Sequence, residues 1–169
     1  MDEIFVFGSN EAGRHGAGAA RYAALNHGAQ YGIGFGPTGR SFAIPTKDFA
    51  INTLSLESVR FYVDIFLLYA KENPHLTFRL TPIGCGLAGF TVEEIVPLFD
   101  AATSNVLPPH PEFDEISREF YEAFTKRLSR RGPSVSDRQE ERSSDARSGD
   151  RENTTSLPVH LLHLGQARR

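Results

Sequence analysis

The chain has 169 residues, 40% of them apolar and 23% charged, which suits one globular domain with or without a tail. Its single cysteine excludes a disulfide framework and a cysteine-rich zinc module, and fits a reducing, cytoplasmic compartment. The net charge of −3 is uneven: residues 1–126 carry 9 Lys+Arg against 15 Asp+Glu, and residues 127–169 carry 9 Arg against 6 Asp+Glu. An acidic main domain argues against DNA or RNA as an obligatory ligand, but a small anion held by backbone groups stays open.

The opening MDEIFVFGSN lacks the basic region and cleavage site of a secretory signal. The longest apolar stretch, Phe61–Ala70, is about half a bilayer span and contains Asp64. Neither secretion nor a membrane partner is expected. Residues 3–7 (EIFVF) end at Gly8 and read as a buried strand. An Ala-rich stretch after a Gly-rich loop predicts a helix from about Ala17 to Asn26. Residues 28–40, rich in glycine, read as a loop. Ser41–Ile44 reads as a short strand stopped by Pro45. Over residues 55–72, Val59, Tyr62, Val63, Phe66 and Tyr69 or Ala70 recur at helical spacing. The aromatic set Phe61, Tyr62, Phe66 and Tyr69 there reads as core packing rather than a nucleotide stack. Pro74 ends that helix, and Thr77–Ile83 follows as a strand. Thr91-Val92-Glu93-Glu94 has the form of a capping box, opening a helix to about Ala102. Asn105–Leu107 reads as a further short strand. Pro111 then suits the first position of a last helix with the stripe Phe113, Ile116, Phe120 and Phe124. Alternation of strands and helices over residues 1–128 predicts an α/β domain with a mostly parallel sheet covered on both faces.

Residues 129–156 contain one large aliphatic side chain, Val135, too little to offset the entropy of ordering. A disordered tail over 129–169 is expected. Its apolar end, Leu157–Leu164, is either a docking segment or inert. His160 and His163 within it have no other ligand type nearby, so no metal site is assigned there or elsewhere.

Nine of the 15 glycines fall between Gly8 and Gly39, and three more at Gly84, Gly86 and Gly89. Two of these clusters share the layout strand, glycine loop, helix: EIFVF then GSNEAGRHGAG, and TFRLTPI then GCGLAGF. In a parallel sheet both loops meet at the carboxyl ends of strands, next to helix N-termini. That arrangement suits two linked phosphates, whereas glycines serving only tight turns are the plainer alternative. Gly84-x-Gly86-x-x-Gly89 also matches a dinucleotide fingerprint, but no acidic strand end follows about 20 residues later. Gly34-x-x-x-x-Gly39-Arg40-Ser41 leads into a strand and so is not read as an ATP-binding loop.

Phe7–Ala20 (FGSNEAGRHGAGAA) resembles the first ligand loop of macro domains, and Ile83–Phe90 followed by TVEEIVPLF resembles their second phosphate loop and helix. Ile44-Pro45-Thr46-Lys47 resembles the Pro-Thr-Lys segment of a macrodomain branch that removes ADP-ribose from proteins or DNA. The resemblance covers roughly residues 4–107. It implies a compact three-layer α/β/α fold with a mixed, mostly parallel sheet. It further implies binding of ADP-ribose or a related nucleotide-sugar diphosphate, free or on an ADP-ribosylated macromolecule, without a further cofactor. By motif position Asn10 would bind the distal ribose, with His15 in the same loop. Gly16 and Gly18 would hold one phosphate, and Gly84, Cys85, Gly86, Leu87 and Ala88 the other. Phe90 would close over the distal ribose, and Lys47 would be the catalytic amine. Ala88 stands where some lysine-type members carry an acidic residue, and no aspartate matches the family's adenine contact.

Read as residues alone, several of these keep a second meaning. Lys47 is a nucleophile or an exposed lysine, and Asn10 a ribose contact or a loop brace. His15 is a ligand contact, a general acid or base, or a plain loop residue, and Cys85 a small buried thiol rather than a nucleophile. The function classes that follow are a lysine-type ADP-ribosyl hydrolase, a non-catalytic ADP-ribose reader, a Rossmann-like NAD domain, and an interaction protein acting through its tail.

Overall fold

An eight-residue strand, β1 (Glu3–Asn10), lies at the centre of the sheet in a computed structural model that describes residues 3–131. Its neighbours Val6 and Phe7 are both fully buried, and alternation along a strand sends them into different apolar clusters. β3 (Ser41–Lys47) and β4 (Thr77–Leu80) flank β1, each parallel to it. β2 (Gly36–Thr38) pairs antiparallel with β3, and β5 (Val106–Leu107) pairs parallel with β4. The order is β2-β3-β1-β4-β5. The chain is therefore mixed α/β, with a five-stranded, mostly parallel sheet. The described residues hold four α-helices, α1 (Gly18–Asn26), α2 (Leu56–Glu72), α3 (Val92–Ile95) and α4 (Glu115–Ser129).

The larger cluster joins Val6, Phe42 and Phe78 of the sheet to Phe66 of α2 and to Phe120 and Phe124 of α4. Burial of each phenylalanine contributes about 2–3 kcal/mol. The smaller cluster joins Phe7 and Ala43 to Ala20 and Ala23 of α1. Alanines on that face bring the α1 backbone near the sheet, and so near the loop that follows β1.

The structure corrects several boundaries. β2 lies inside the stretch read as a loop, and its Pro37 is tolerated because β2 is an edge strand. β3 runs through Pro45 to Lys47, and the β1 register shifts between Ser9 and Asn10 just there. A proline in a sheet is accommodated at such an irregularity. β4 stops at Leu80, short of Ile83, with Pro82 close behind. The helix after Thr91 lasts one turn and then tightens to a 3-10 turn over Val96–Phe99. Pro97 offers no N–H, and its ring crowds the carbonyl of Glu93. α4 begins at Glu115, capped by the Asp114 carboxylate accepting from Ser117 N at 2.7 Å, rather than at Pro111. Its core face is accordingly Ser117, Phe120 and Phe124, while Phe113 and Ile116 are exposed. Phe61 of α2 is also exposed, and leaves the aromatic core set. The compact unit reaches Arg131, and the expected tail with Leu157–Leu164, His160 and His163 lies outside the described residues beyond it.

Asn105 ties α2 to the far edge of the sheet. Its Nδ2 donates to the carbonyls of Ala70, Asn73 and Leu76 at 3.0, 3.1 and 3.1 Å, and its Oδ1 accepts from Thr103 Oγ1 at 2.6 Å. Asn105→Leu removes all of these bonds, although Ala70 O and Asn73 O keep Asn73 N and Leu76 N as donors, so it is expected to lower unfolding stability by about 1–2 kcal/mol. Urea titration checks this, and an unchanged midpoint would show that water replaces the amide.

Candidate functional site

The carboxyl ends of β1 and β3 and the loop after β4 open on one cleft of about 460 Å³. Gly8–Asn10 come from β1, Thr46 and Lys47 from β3, and Gly16–Ala20 from the start of α1. Its size is that of a small-molecule site, and its position is where open α/β sheets bind ligands.

The loop after β1 is held by its own backbone. Asn10 Oδ1 accepts from Arg14 N at 2.9 Å, and Asn10 Nδ2 donates to Arg14 O at 2.8 Å. The amide thus closes a five-residue turn while Asn10 also lines the cleft. Gly13 has φ +64, and Gly32 N donates to its carbonyl at 2.9 Å. A Cβ on Gly13 or Gly34 would collide with the backbone of Gly32 or of Asn10 and Glu11 respectively. Ser9 Oγ also donates to Gly34 O. The glycine-rich 28–39 stretch therefore packs against the first loop and does not line the cleft. His15 is buried, 6% exposed, edge-on to Phe7. Its Nε2 lies 3.0 Å from the Gln30 carbonyl, which assigns the proton to Nε2, and its Nδ1 is buried without a partner. His15 is not among the residues lining the cleft.

In the second loop Gly84, Gly86, Leu87 and Ala88 line the cleft, and Cys85 and Phe90 do not. Phe90 packs against the larger core cluster, and a Cβ on Gly84 would lie 3.0 Å from its Cδ2. The Cys85 thiol packs on the same cluster. Burial, with Glu119, Glu93 and Glu94 adding to it, pushes that thiol up to about 12. Leu87 is exposed and reaches towards Gly18, where a Cβ would meet its Cδ1 at 3.5 Å. By contrast, a Cβ on Gly16 or Gly86 would meet nothing within 4 Å.

The two helix N-termini differ. Thr91 and Glu94 form the full capping box on α3, which satisfies the Thr91 and Glu94 N–H groups. Ala17 gives α1 no side-chain cap, and the first turn of α1 lines the cleft. Unpaired N–H groups and the helix dipole favour an anion there.

Three charged residues line the cleft: Arg14, Lys47 and Asp114. Lys47 is half-buried and forms no ion pair among the described residues. Its carbonyl accepts from Glu11 N at 2.9 Å, and it bridges to Thr53. Glu11 accepts from the Tyr62 hydroxyl at 2.8 Å, and burial followed by this bond raises the Tyr62 pKa. Asp48 is occupied by a turn: it accepts from Ala50 N at 2.9 Å, Asn52 N at 2.8 Å and Asn52 Nδ2 at 3.1 Å. The Asn52 side chain, then backbone N–H groups, hold that carboxyl below its usual range, which makes it a poor proton acceptor.

Asp114 and Ile116, at the start of α4, and Ile51 complete the cleft. Sequence reasoning missed these three. Asp114 was legible as a cap, but only the fold brings α4 to the strand ends. A second cleft of about 530 Å³ adjoins the first and shares Gly18, Ala19, Thr81, Pro82 and Asp114 with it. Tyr22, Phe113, and the Phe5–His27 pair stacked at 4.4 Å line this second cleft. Burial and then Arg40 hold the His27 pKa low, against the pull of Glu3.

Among the described residues no group of three His, Cys, Asp or Glu side chains could hold a metal ion. None of their helices is long and apolar enough to cross a membrane. In comparisons with protein-family models, curated proteins and solved structures, nothing matches this chain.

A thiol held near 12 is almost wholly protonated at pH 8.5, where an unfolded cysteine is about half ionised. Alkylation of Cys85 by iodoacetamide is therefore expected to run about a thousandfold slower in the native chain than in urea. Equal rates, followed by mass spectrometry, would place the thiol in an ordinary environment.

Proposed function

We propose that this chain binds ADP-ribose or a related nucleotide-sugar diphosphate, in a three-layer α/β/α fold of macro-domain type. One observation carries the reading: glycine loops from two neighbouring parallel strands line one cleft that also receives the uncapped N-terminus of α1. A diphosphate lies along the first turn of α1 and the backbone of Gly84–Ala88, with Arg14 adding charge. The adjoining aromatic cleft supports a ligand with a planar base beyond the phosphates. Asn10 serves as loop brace in this reading, with its remaining amide hydrogen directed to a sugar hydroxyl. The single free cysteine fits a reducing, cytoplasmic-type compartment.

Calorimetric titration of the full chain with ADP-ribose, NAD and AMP tests it. ADP-ribose is expected to bind most tightly. NAD binding more tightly than ADP-ribose would instead support the Rossmann-like alternative. Gly16→Val and Gly86→Val place a side chain in open space within the cleft lining. Each is expected to leave the thermal midpoint unchanged and to weaken ADP-ribose binding at least about tenfold, or 1.4 kcal/mol. Full affinity in both variants would remove the diphosphate from these loops.

A second reading, hydrolysis, is favoured by Lys47, which lines the same cleft without an ion pair. Its neutral amine adds to the anomeric carbon of the distal ribose, and the macromolecular oxygen or nitrogen leaves with a proton. Water then releases the sugar and restores the amine. Lys47→Ala is expected to abolish single-turnover release from an ADP-ribosylated protein, with ADP-ribose affinity changed less than about threefold. Binding by the unsubstituted chain with no product formed would leave the non-catalytic reader.

A further inference from the structure

Helix α2 carries a second apolar face, on the side away from the core. Phe61, Ile65 and Leu68 recur at i, i+4 and i+7 and so share one stripe. Phe61 and Leu68 are each 61% exposed, while Val59, Val63, Phe66 and Ala70 fill the opposite face and are buried. The Phe61 ring stands edge-on to Tyr62 with centroids 5.7 Å apart, and Tyr62 is itself held by Phe35 and Glu11. The exposed ring is therefore backed by fixed neighbours. No residue of α2 lines either cleft, so this stripe lies outside the ligand site. Charges of alternating sign follow one border of it: Glu57, Arg60, Asp64 and Lys71. All four are exposed, and none is in an ion pair among the described residues.

We propose that this face of α2 is an interface with a second copy of the chain, packed antiparallel about a twofold axis near Ile65. The charge order commits the occupant. Negative, positive, negative, positive becomes its own complement when the helix is reversed, so Glu57 meets Lys71 of the second copy and Arg60 meets Asp64, each twice by symmetry. The same register lays Phe61 on Leu68 of the second copy. Parallel alignment would set each charge against its like. Glu72, the last residue of α2, is the one charge that the antiparallel register brings near its like, Glu57. The stripe is short, since a helix of 17 residues is about 26 Å long. It is small beside the roughly 800 Å² per partner of a standard interface, so a dissociation constant of roughly tens of micromolar is expected. The inference stands apart from the proposed function and survives its failure.

Sedimentation equilibrium of the full chain, without ligand, from about 5 to 500 μM tests it, and the mass is expected to rise from monomer to dimer across that range. Phe61→Lys and Leu68→Lys are each expected to weaken association at least about tenfold, with the thermal midpoint of the dilute chain unchanged. Arg60→Glu and Asp64→Arg are each expected to weaken it about fivefold, and the two together to restore it. Leu25→Lys on α1, at a site 70% exposed, is the control and is expected to leave the dimer intact. A monomer at every concentration overturns the proposal and leaves the stripe to another partner. A dimer that survives Leu68→Lys, or that Leu25→Lys breaks as readily, overturns the assignment to α2. A double charge variant that associates no better than either single one overturns the antiparallel register.

Discussion

The loop after β1 keeps its shape because two stretches of backbone approach more closely than any side chain permits. Gly34 lies against the carbonyls of Asn10 and Glu11, and Gly13 against Gly32. No Cβ fits at either contact, and the Ser9 hydroxyl reaches the Gly34 carbonyl through the same seam. A flexible glycine segment would otherwise lose its conformational freedom only on meeting a ligand, and that cost would come out of the binding energy. Here it is met on folding. Four glycines of these loops therefore do two kinds of work. Those at 13 and 34 let backbone pack on backbone, whereas those at 16 and 86 leave room in front of the cleft.

The same division governs the electrostatics. The two loop-helix units look alike in sequence, yet only α1 brings its first turn to the cleft; no residue of α3 lines it, and its N-terminus carries the Thr91–Glu94 capping box. The positive end of one helix and the guanidinium of Arg14 lie on one cleft with a single carboxylate, Asp114, which also lines the aromatic chamber. A phosphate is drawn to the former and repelled by the latter. A ligand with an anionic middle and a hydrogen-bond donor on a planar end satisfies both.

The fold was largely legible because periodicity and punctuation are local. Val59, Val63, Phe66 and Ala70 announce α2, and Pro74 ends it. Boundaries failed where a tertiary contact overrode the local signal. Pro45 reads as a stop, but a register shift in β1 lets β3 continue to Lys47. Pro97, inside the run taken as a helix, had a legible effect that the capping box before it obscured. The cleft lining was legible in its glycines and in part of its side chains, since Asn10, Lys47, Leu87 and Ala88 reach it. Gly16, Gly18, Gly84 and Gly86 reach the cleft as their loop positions suggest. His15, Cys85 and Phe90 turn inward instead, because each finds apolar neighbours next to the loop: Phe7 for His15, and the larger core for the other two. Spacing in sequence says nothing of which way a loop side chain turns. Nor does it bring Asp114 to strand ends a hundred residues away.

Lys47 shows how much of a site can be fixed without its chemistry. Its position comes from main-chain bonds: Glu11 N to its carbonyl, and the bridge to Thr53. Tyr62 steadies Glu11, and Thr53 holds Ala88. None of these contacts uses the amine. A lysine placed by a carboxylate partner would lose its place when that partner was changed, and its charge would be committed to the pair. Here the side chain is carried to the cleft by the ends of two parallel strands, and its ammonium is left without an ion pair among the described residues. Under the proposed function, such a scaffold serves either a reader or a hydrolase with the same backbone. Product formation separates the two: a hydrolase needs the Lys47 amine to reach the anomeric carbon, whereas a reader needs only the backbone that carries the loops.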